Sequence, residues 1–416
     1  MEQKIKYQYS YFIYPYLVEE KKYNKYLLKL LKDKKCELKI FEKEKDLNLY
    51  TYFLPNIREK LFWSFGRTRR QMKSLNELED GVKANLLAKN ECNIFEYSLG
   101  NVVQGKMGQE GGSGIFFNIQ KIEIICFKSG ICFLLLKTIV EDDDKFSDIL
   151  NFNYKFREIN ADYSFLKDYE NIRLQTNNLK DIKELSTIIN KITGPTINTK
   201  DMNLDVEKFI TYSYACIEQD SWNIDNDFEN IKEEFIKFTN VLPSSYQVNL
   251  NEKLENEKIL ETRKYAKIGF NKQSTALLTS SASVENYTKL PFIYEREYLY
   301  TYILALYKKL YLKKINLEFM QKRNFAQTRE KFLKFTSDFW IQEITNDMEG
   351  SLMYEKWRKT LELDYLYNEI KNKYDITYKD LNIEKTNKIN LAIIVILAAT
   401  LTFNIINFIL LYFKGK

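Results

Sequence analysis

The chain has 416 residues, of which 45% are hydrophobic and 29% are charged, and its formal net charge is +6. These values are typical of a folded chain of about two or three domains; they exclude wholesale disorder, and the basic excess is too small to indicate nucleic-acid binding by itself. The sequence contains no histidine, which removes histidine general bases, Ser-His-Asp triads and histidine-ligated zinc from the available chemistry.

The cysteines and the N-terminus both indicate a cytosolic protein. The five cysteines are an odd number, widely spaced and without a CxxC pair: Cys36, Cys92, Cys126, Cys132 and Cys216. They are expected to be reduced, mostly buried thiols. The N-terminal stretch MEQKIKYQYSYFIYPYLVEE lacks the continuous apolar core of a signal peptide, so the bulk of the chain is expected to stay in the cytoplasm.

The first hundred residues predict a mixed α/β domain. Alternating apolar residues over 5–13 predict a strand that Pro15 ends, and the pattern over 19–32 predicts an amphipathic helix. Strands are predicted at 36–41 and 49–54, followed by a helix that begins at Pro55. A further strand is predicted at 93–97.

The clearest local signal is a β-hairpin. FNIQKIEIICF (117–127) and ICFLLLKTIV (131–140) flank the turn Lys128-Ser129-Gly130, and the second strand is apolar enough to be central in a sheet. Weaker patterns beyond it predict helices at 178–195 and 228–243 and strands at 208–219 and 264–281.

After Pro291 the pattern becomes helical. Residues 293–388 contain no proline and one glycine, and apolar residues at spacings of three and four predict three long helices, the third marked by Trp357, Leu361, Leu363, Leu366 and Ile370. The predicted organisation is a cytosolic α/β domain (1–245), a connecting region (246–290), a helical stalk (291–388), a transmembrane helix (389–413) and a short tail (414–416). The fold class is therefore predicted as α+β.

The C-terminal segment predicts a membrane span. Nothing between Ile389 and Phe413 is charged, and 23 residues from Leu391 form a helix of about 35 Å, enough to cross a hydrocarbon core of about 30 Å. A buried core helix is the alternative. Lysines flank both ends, so orientation is taken from the large unexported domain, which places the N-terminal side in the cytoplasm.

One face of this span is polar. Thr400, Asn404 and Asn407 fall at i, i+4 and i+7, within about 60° of arc. Amides facing lipid are costly, so this face is expected to meet another helix or water. It either lines a pore or holds helices together, and helix association is the preferred interpretation.

Other candidate sites are less specific. The glycine-rich stretch Gly105–Gly114 either cradles an anion through its backbone or is a surface loop, and it lacks both GxxxxGK[ST] and GxGxxG. Lys106 is the first candidate for binding an anionic ligand, and Lys128 and Arg157 follow because they flank the same hairpin. EDDDK (141–145) is either a metal site or, preferably, a solvated turn.

The aromatic and basic stretch 293–314 is interpreted as a packing helix rather than a nucleic-acid or lipid surface. No catalytic residue or cofactor is predicted, and no metal ligand is assigned.

The order of the parts, with an α/β domain, long helices and a C-terminal span ending in Leu-Leu-Tyr-Phe-Lys-Gly-Lys, resembles the CorA-like divalent-cation transporter superfamily. More narrowly, it is similar to divergent members encoded beside prokaryotic antiviral systems, including type III CRISPR loci. Two features depart from the family: this chain offers one span rather than two, and the Gly-Met-Asn filter motif is missing, so no metal selectivity is carried over. The resemblance implies a homo-oligomer whose cytosolic domains sense a ligand and whose membrane helices respond.

Two functional hypotheses follow. The first is a non-enzymatic, homo-oligomeric membrane protein in which a cytosolic domain senses a small anionic or nucleotide-like ligand and a CorA-like pore or antiviral membrane effector responds. The second is a membrane-tethered interaction module without transport activity. In both, the partners are membrane lipid and further copies of the chain, and nucleic acid is not expected.

Overall fold

A computed structural model describes residues 3–100, 103–107, 115–141, 145–158, 173–176, 183–194, 208–248, 258–321 and 325–414. The three aspartates of the predicted EDDDK turn (142–144) and most of the glycine-rich stretch (108–114) lie outside these ranges.

Within these ranges twelve strands form one sheet of the predicted α+β fold. They are β1 (Ile5–Leu17), β2 (Cys36–Leu38), β3 (Cys92–Tyr97), β4 (Val103–Met107), β5 (Ile115–Phe127), β6 (Ile131–Val140), β7 (Arg173–Thr176), β8 (Lys183–Glu184), β9 (Ile210–Ile217), β10 (Ile259–Arg263), β11 (Ala266–Phe270) and β12 (Ser274–Ser280). The spatial order is β10-β11-β12-β9-β1-β6-β5-β4-β7-β8; β3 also pairs with β5 and carries β2. The pairs are antiparallel except β9–β12, which is parallel.

The α-helices of the described residues are α1 (Tyr23–Lys32), α2 (Leu47–Tyr52), α3 (Pro55–Leu61), α4 (Arg69–Asn76), α5 (Asp80–Leu87), α6 (Phe146–Phe156), α7 (Leu185–Thr193), α8 (Lys232–Asn240), α9 (Glu285–Thr288), α10 (Leu290–Ile293), α11 (Leu299–Met320), α12 (Phe325–Asp338), α13 (Met348–Thr360) and α14 (Leu363–Lys414). A π-helical turn at Tyr294–Tyr298 joins α10 to α11.

The predicted hairpin is confirmed and forms the middle of the sheet. β5 and β6 pair from Phe117–Val140 to Cys126–Cys132, and β1 lies along the other edge of β6. Gly130 in the turn has φ +82°, and a Cβ there would lie 2.1 Å from the carbonyl oxygen of Val18. Glycine is therefore required on both conformational and steric grounds.

Two predictions in the first sixty residues were wrong. β1 does not end at Pro15 but continues to Leu17, where it pairs with β6. Its pairing with β9 stops at Ile13. The missing N–H of Pro15 therefore removes no hydrogen bond between β1 and β9. Of the segment predicted as a strand at 49–54, residues 49–52 are instead part of helix α2. Its buried residues are Leu49 and Tyr52, which are three residues apart and lie on one helical face.

The two faces of the sheet have different cores. One face carries buried tyrosines such as Tyr9, Tyr11, Tyr212 and Tyr214, and α11 and its preceding turn pack over it. The opposite face is mainly Phe, Ile and Leu, and α1, α5, α6 and α7 cover it. The five cysteines are all buried free thiols, as predicted.

The predicted connecting region and stalk are integrated into this architecture. Residues 259–280, within the region predicted as a connection, supply β10, β11 and β12, and β12 pairs directly with β9. α11 is buried on all sides along its first ten residues, so it is a central layer of the fold rather than a projecting stalk.

The third predicted stalk helix is two helices. α13 ends at Thr360, and Glu362 adopts a left-handed conformation with φ +57° before α14 begins at Leu363. α14 then continues without interruption for 52 residues, about 78 Å at 1.5 Å per residue. Leu363 and Ile370 are fully buried, so its first two turns belong to the core.

Candidate functional site

The C-terminal part of α14 has the properties of a membrane span. The described residues contain one helix that is long and apolar enough, Thr386–Leu410, and none of it is buried within the chain. Its isoleucines, leucines and phenylalanines are about half exposed or more. By length and composition, this helix is able to cross a bilayer.

The polar residues of the span differ in how their hydrogen bonds are satisfied. The Thr400 hydroxyl donates to the carbonyl oxygens of Ile396 and Leu397 at 2.7 and 2.9 Å, and Thr402 bonds its own helix in the same way. The Asn404 and Asn407 amides make no side-chain hydrogen bond to any part of the chain that the structure describes. An amide without a hydrogen-bond partner in hydrocarbon costs on the order of 2–7 kcal/mol. In a bilayer, Asn404 and Asn407 are therefore the residues of this helix that need a partner outside it.

The predicted residue Lys128 lies on the rim of a groove, here called the hairpin groove. It has a volume of about 360 Å³ and lies between the β5–β6 turn, the start of α1, and helices α11 and α12. Tyr307 and Tyr311 form its wall: Tyr307 stacks on Phe127 with ring centroids 3.8 Å apart, and Tyr311 stacks on Phe335 at 4.7 Å.

The lysines that line the hairpin groove are Lys21, Lys128, Lys331 and Lys334, and two glutamates pair with the last three. Glu91 lies 3.8 Å from Lys128 Nζ and 3.2 Å from Lys334 Nζ. Glu20 lies 2.5 Å from Lys314 Nζ and 3.2 Å from Lys331 Nζ. Burial alone would raise the pKa of Glu20, but the two ammonium groups together lower it. An anion entering the groove would compete with these carboxylates for the same lysines.

The three predicted ligand contacts are not brought together. Lys106 lies in strand β4, not in a loop, and its backbone pairs with Phe116 at the start of β5. Lys128 directly follows the end of β5, twelve residues beyond Phe116, or about 40 Å along the strand. Arg157 directly follows α6, and its backbone oxygen accepts a hydrogen bond from Phe209 N. A single small ligand therefore cannot contact both Lys106 and Lys128.

Sequence reasoning missed a buried lysine at the base of α14. Lys308 of α11 is fully buried, and its Nζ donates to the carbonyl oxygen of Ile341 at 3.2 Å and to the Tyr354 hydroxyl. Burial lowers its pKa to about 7, and the positive charges of Arg358 and Lys60 add to this. Asp364, in the first turn of α14, pairs with Arg358 at 2.5 Å and acts in the opposite sense.

A second group near the same helices titrates close to neutrality. Glu297 lies in the π-helical turn, where burial raises its pKa to about 7 and the nearby carboxylate of Asp347 adds to the rise. Arg296 and Arg263 oppose it, and Arg263 is itself held by Glu349 at 2.7 Å. No local pattern distinguishes Lys308 or Glu297 in the sequence, because each is perturbed by segments that are distant along the chain.

Comparisons with protein-family models, with curated proteins and with solved structures found no match to this chain. In the described part of the chain, no group of three or more Cys, Asp or Glu side chains is arranged to hold a metal ion.

Proposed function

We propose that this chain is an oligomeric membrane protein in which a cytosolic domain binds a small anionic ligand and the membrane helices respond, as in a gated pore or membrane effector of CorA-like type. The observation that carries this proposal is the continuity of α14. One face of its first turns is buried in the core, and the same helix continues into the candidate span without a linker. A change in the packing of Leu363 or Ile370 must therefore move the span.

The hairpin groove is the ligand site of this proposal. It combines an aromatic wall with four lysines, which suits a ligand that has a flat ring and an anionic group. Its α12 wall also reaches α14: Phe332 lies 5.4 Å from Tyr367, and Arg329 lies over the rings of Tyr374 and Tyr378. A ligand that displaced Glu20 or Glu91 would alter the position of α12, and α12 holds the last supported turn of α14.

The polar face of the span supports oligomerisation. One helix has no partner for Asn404 and Asn407, so the amides need another helix or water. A membrane tether without transport uses the same face only to hold helices together, whereas a pore lets water reach it. Within the proposal, the large N-terminal part of the chain lies in the cytoplasm, and a prokaryotic antiviral setting remains part of the CorA-like hypothesis.

Ion flux distinguishes the two functions. The full chain is reconstituted in liposomes loaded with a fluorescent ion indicator, with inorganic phosphate and AMP as anionic probes. We expect flux that rises with at least one probe, and we expect Lys128→Ala to weaken this response. The triple variant Thr400→Leu, Asn404→Leu and Asn407→Leu should lose flux, whereas Thr402→Leu, on the opposite face, should retain it.

The contrary results are equally specific. A chain that associates in the bilayer but conducts no ion with or without a probe is a tether, and the pore is then excluded. A chain that carbonate releases from membranes excludes both functions.

A further inference from the structure

The exposed part of α14 carries a stripe of residues whose chemistry does not suit their surroundings. Ile376 and Ile383 lie before the span, in water, yet are 62% and 59% exposed. Asn404 and Asn407 lie within the span, in lipid. Apolar groups in water and amides in hydrocarbon are both unfavourable, and burial against another helix relieves both.

These residues share one heptad pattern. Counting in sevens from Ile376 gives Ile383, Asn390, Leu397 and Asn404, the a positions of a coiled coil. The d positions, three residues further on, include Ile393, Thr400 and Asn407. Residues 391–410 include four polar side chains, and three of them, Thr400, Asn404 and Asn407, are on this stripe. The exception is Thr402, whose hydroxyl donates a hydrogen bond to a carbonyl oxygen of its own helix. A repeat of 3.5 residues predicts a left-handed coiled coil.

The stripe also points away from the chain's own core. The buried side of α14 is marked by Leu363 and Ile370. Ile376 follows Ile370 by six residues, which places it about 120° around the helix. The stripe therefore begins where the intrachain packing ends, on a face that the folded domain leaves accessible.

We infer that this stripe, here called the α14 seam, packs in parallel and in register against the α14 seam of a second copy of the chain, from Ile376 in water to Asn407 in the bilayer. The inference rests on the proposed membrane insertion and names the partner. All copies enter a bilayer in one orientation, so each position meets its own counterpart. Isoleucine then packs on isoleucine, and an amide, which both donates and accepts, bonds an amide.

The polar positions also fix the register. A shift by one heptad would place Asn404 against Leu397 and leave its amide unpaired in hydrocarbon. Polar residues at a positions specify register in coiled coils at some cost in stability. Lys379, at the first d position, is the one charged residue on the seam between Ile376 and Asn407, and it lies outside the span, where its ammonium group reaches water.

Disulfide formation between copies tests this arrangement. Single cysteines are introduced in the full chain as Ile376→Cys, Ile383→Cys and, as a control at the outward-facing f position, Lys388→Cys. The five native cysteines are buried and serve as the background. In liposomes under mild copper–phenanthroline oxidation, we expect covalent dimers at 376 and 383 to form about tenfold faster than at 388, because bridged Cα atoms must lie within about 7 Å.

Mixed liposomes test the register. Copies with Ile376→Cys and copies with Ile383→Cys, together in one bilayer, should give homodimers but few heterodimers, because the two levels are about 10 Å apart along the helix. Asn404→Leu should weaken association, measured by energy transfer between labelled copies at varied protein-to-lipid ratio, by about three- to twentyfold. Thr402→Leu should leave it unchanged.

Three results would overturn the seam. These are equal cross-linking at 383 and 388, efficient 376–383 heterodimers, and association unaffected by Asn404→Leu. Each of them leaves the proposed function standing if the protein remains integral to the membrane and conducts ions. Release by carbonate would instead remove the proposed function, so the two failures are distinguishable.

Discussion

The two parts of helix α14 are the most informative contrast in the molecule. From Leu363 to Tyr374 the helix packs into the core, with Leu363 and Ile370 fully buried. Between Thr386 and Leu410 none of it is buried. The backbone is the same in both parts, so the contacts available to the side chains make the difference. The first part is specified by the chain itself, and the second requires something outside the chain.

The largest effect is expected from truncating matched isoleucines on the two parts. Ile370→Ala removes buried methyl groups from the core, which should lower the free energy of unfolding by about 2–5 kcal/mol. Ile383→Ala should change it by less than about 0.5 kcal/mol. Chemical unfolding in dilute detergent, where copies are separated, measures both. Equal losses would show that the second part also packs on its own chain.

A smaller effect is expected from the buried lysine at the base of α14. Because burial lowers the pKa of Lys308 from 10.5 to about 7, the unfolded chain holds this proton more tightly than the folded chain. Between pH 7 and pH 9 the unfolded state therefore binds more protons, and Lys308 makes stability rise with pH. Lys308→Met should reduce this rise.

Thermal unfolding of both proteins across that range measures the difference. Lys289→Met, at an exposed lysine paired with Glu285, is the control and should follow the wild type. Parallel curves for Lys308→Met and the wild type would show that Lys308 is not buried as a neutral amine. Only the difference between the two proteins is interpreted, because Glu297 titrates in both.

The smallest effect is expected within the span itself. Thr400 and Thr402 make the same hydrogen bonds to their own helix but lie on opposite faces. Thr400→Leu should weaken association of the full chain in bilayers slightly, by about threefold or less, and Thr402→Leu should not. Energy transfer between labelled copies measures both, and identical effects would remove the distinction between the faces.

Strong local periodicity was predictable from sequence, and tertiary packing was not. The β5–β6 hairpin and the span were found because each is a long, regular pattern. The segment around Tyr52 was assigned to a strand because six residues fit either period, and its helix is set by packing of Leu49 and Tyr52. The break at Glu362 escaped prediction because no glycine or proline marks it.

For the candidate sites too, local sequence patterns were informative and tertiary contacts could not be predicted. Lys128 was proposed because it flanks the hairpin, and it lines the hairpin groove; its role as a ligand contact stays a prediction. The stretch around Lys308 has the composition of a helix with solvated lysines, yet α13 and the segment before it bury this residue. Lys106 was grouped with Lys128 because both flank the same hairpin, but the two residues lie at opposite ends of β5.

The uninterrupted length of α14 has a mechanical consequence. From Tyr374 to Lys414 the helix extends about 60 Å, and the part of it from Thr386 to Leu410 is not buried within the chain. A tilt of about 5° at its base would displace the far end by about 5 Å, comparable to one helical turn. Sub-ångström adjustments near the base are thus magnified at the far end of the helix. In the proposed membrane-inserted state, a bilayer that favours a given tilt would in turn exert torque on the folded domain.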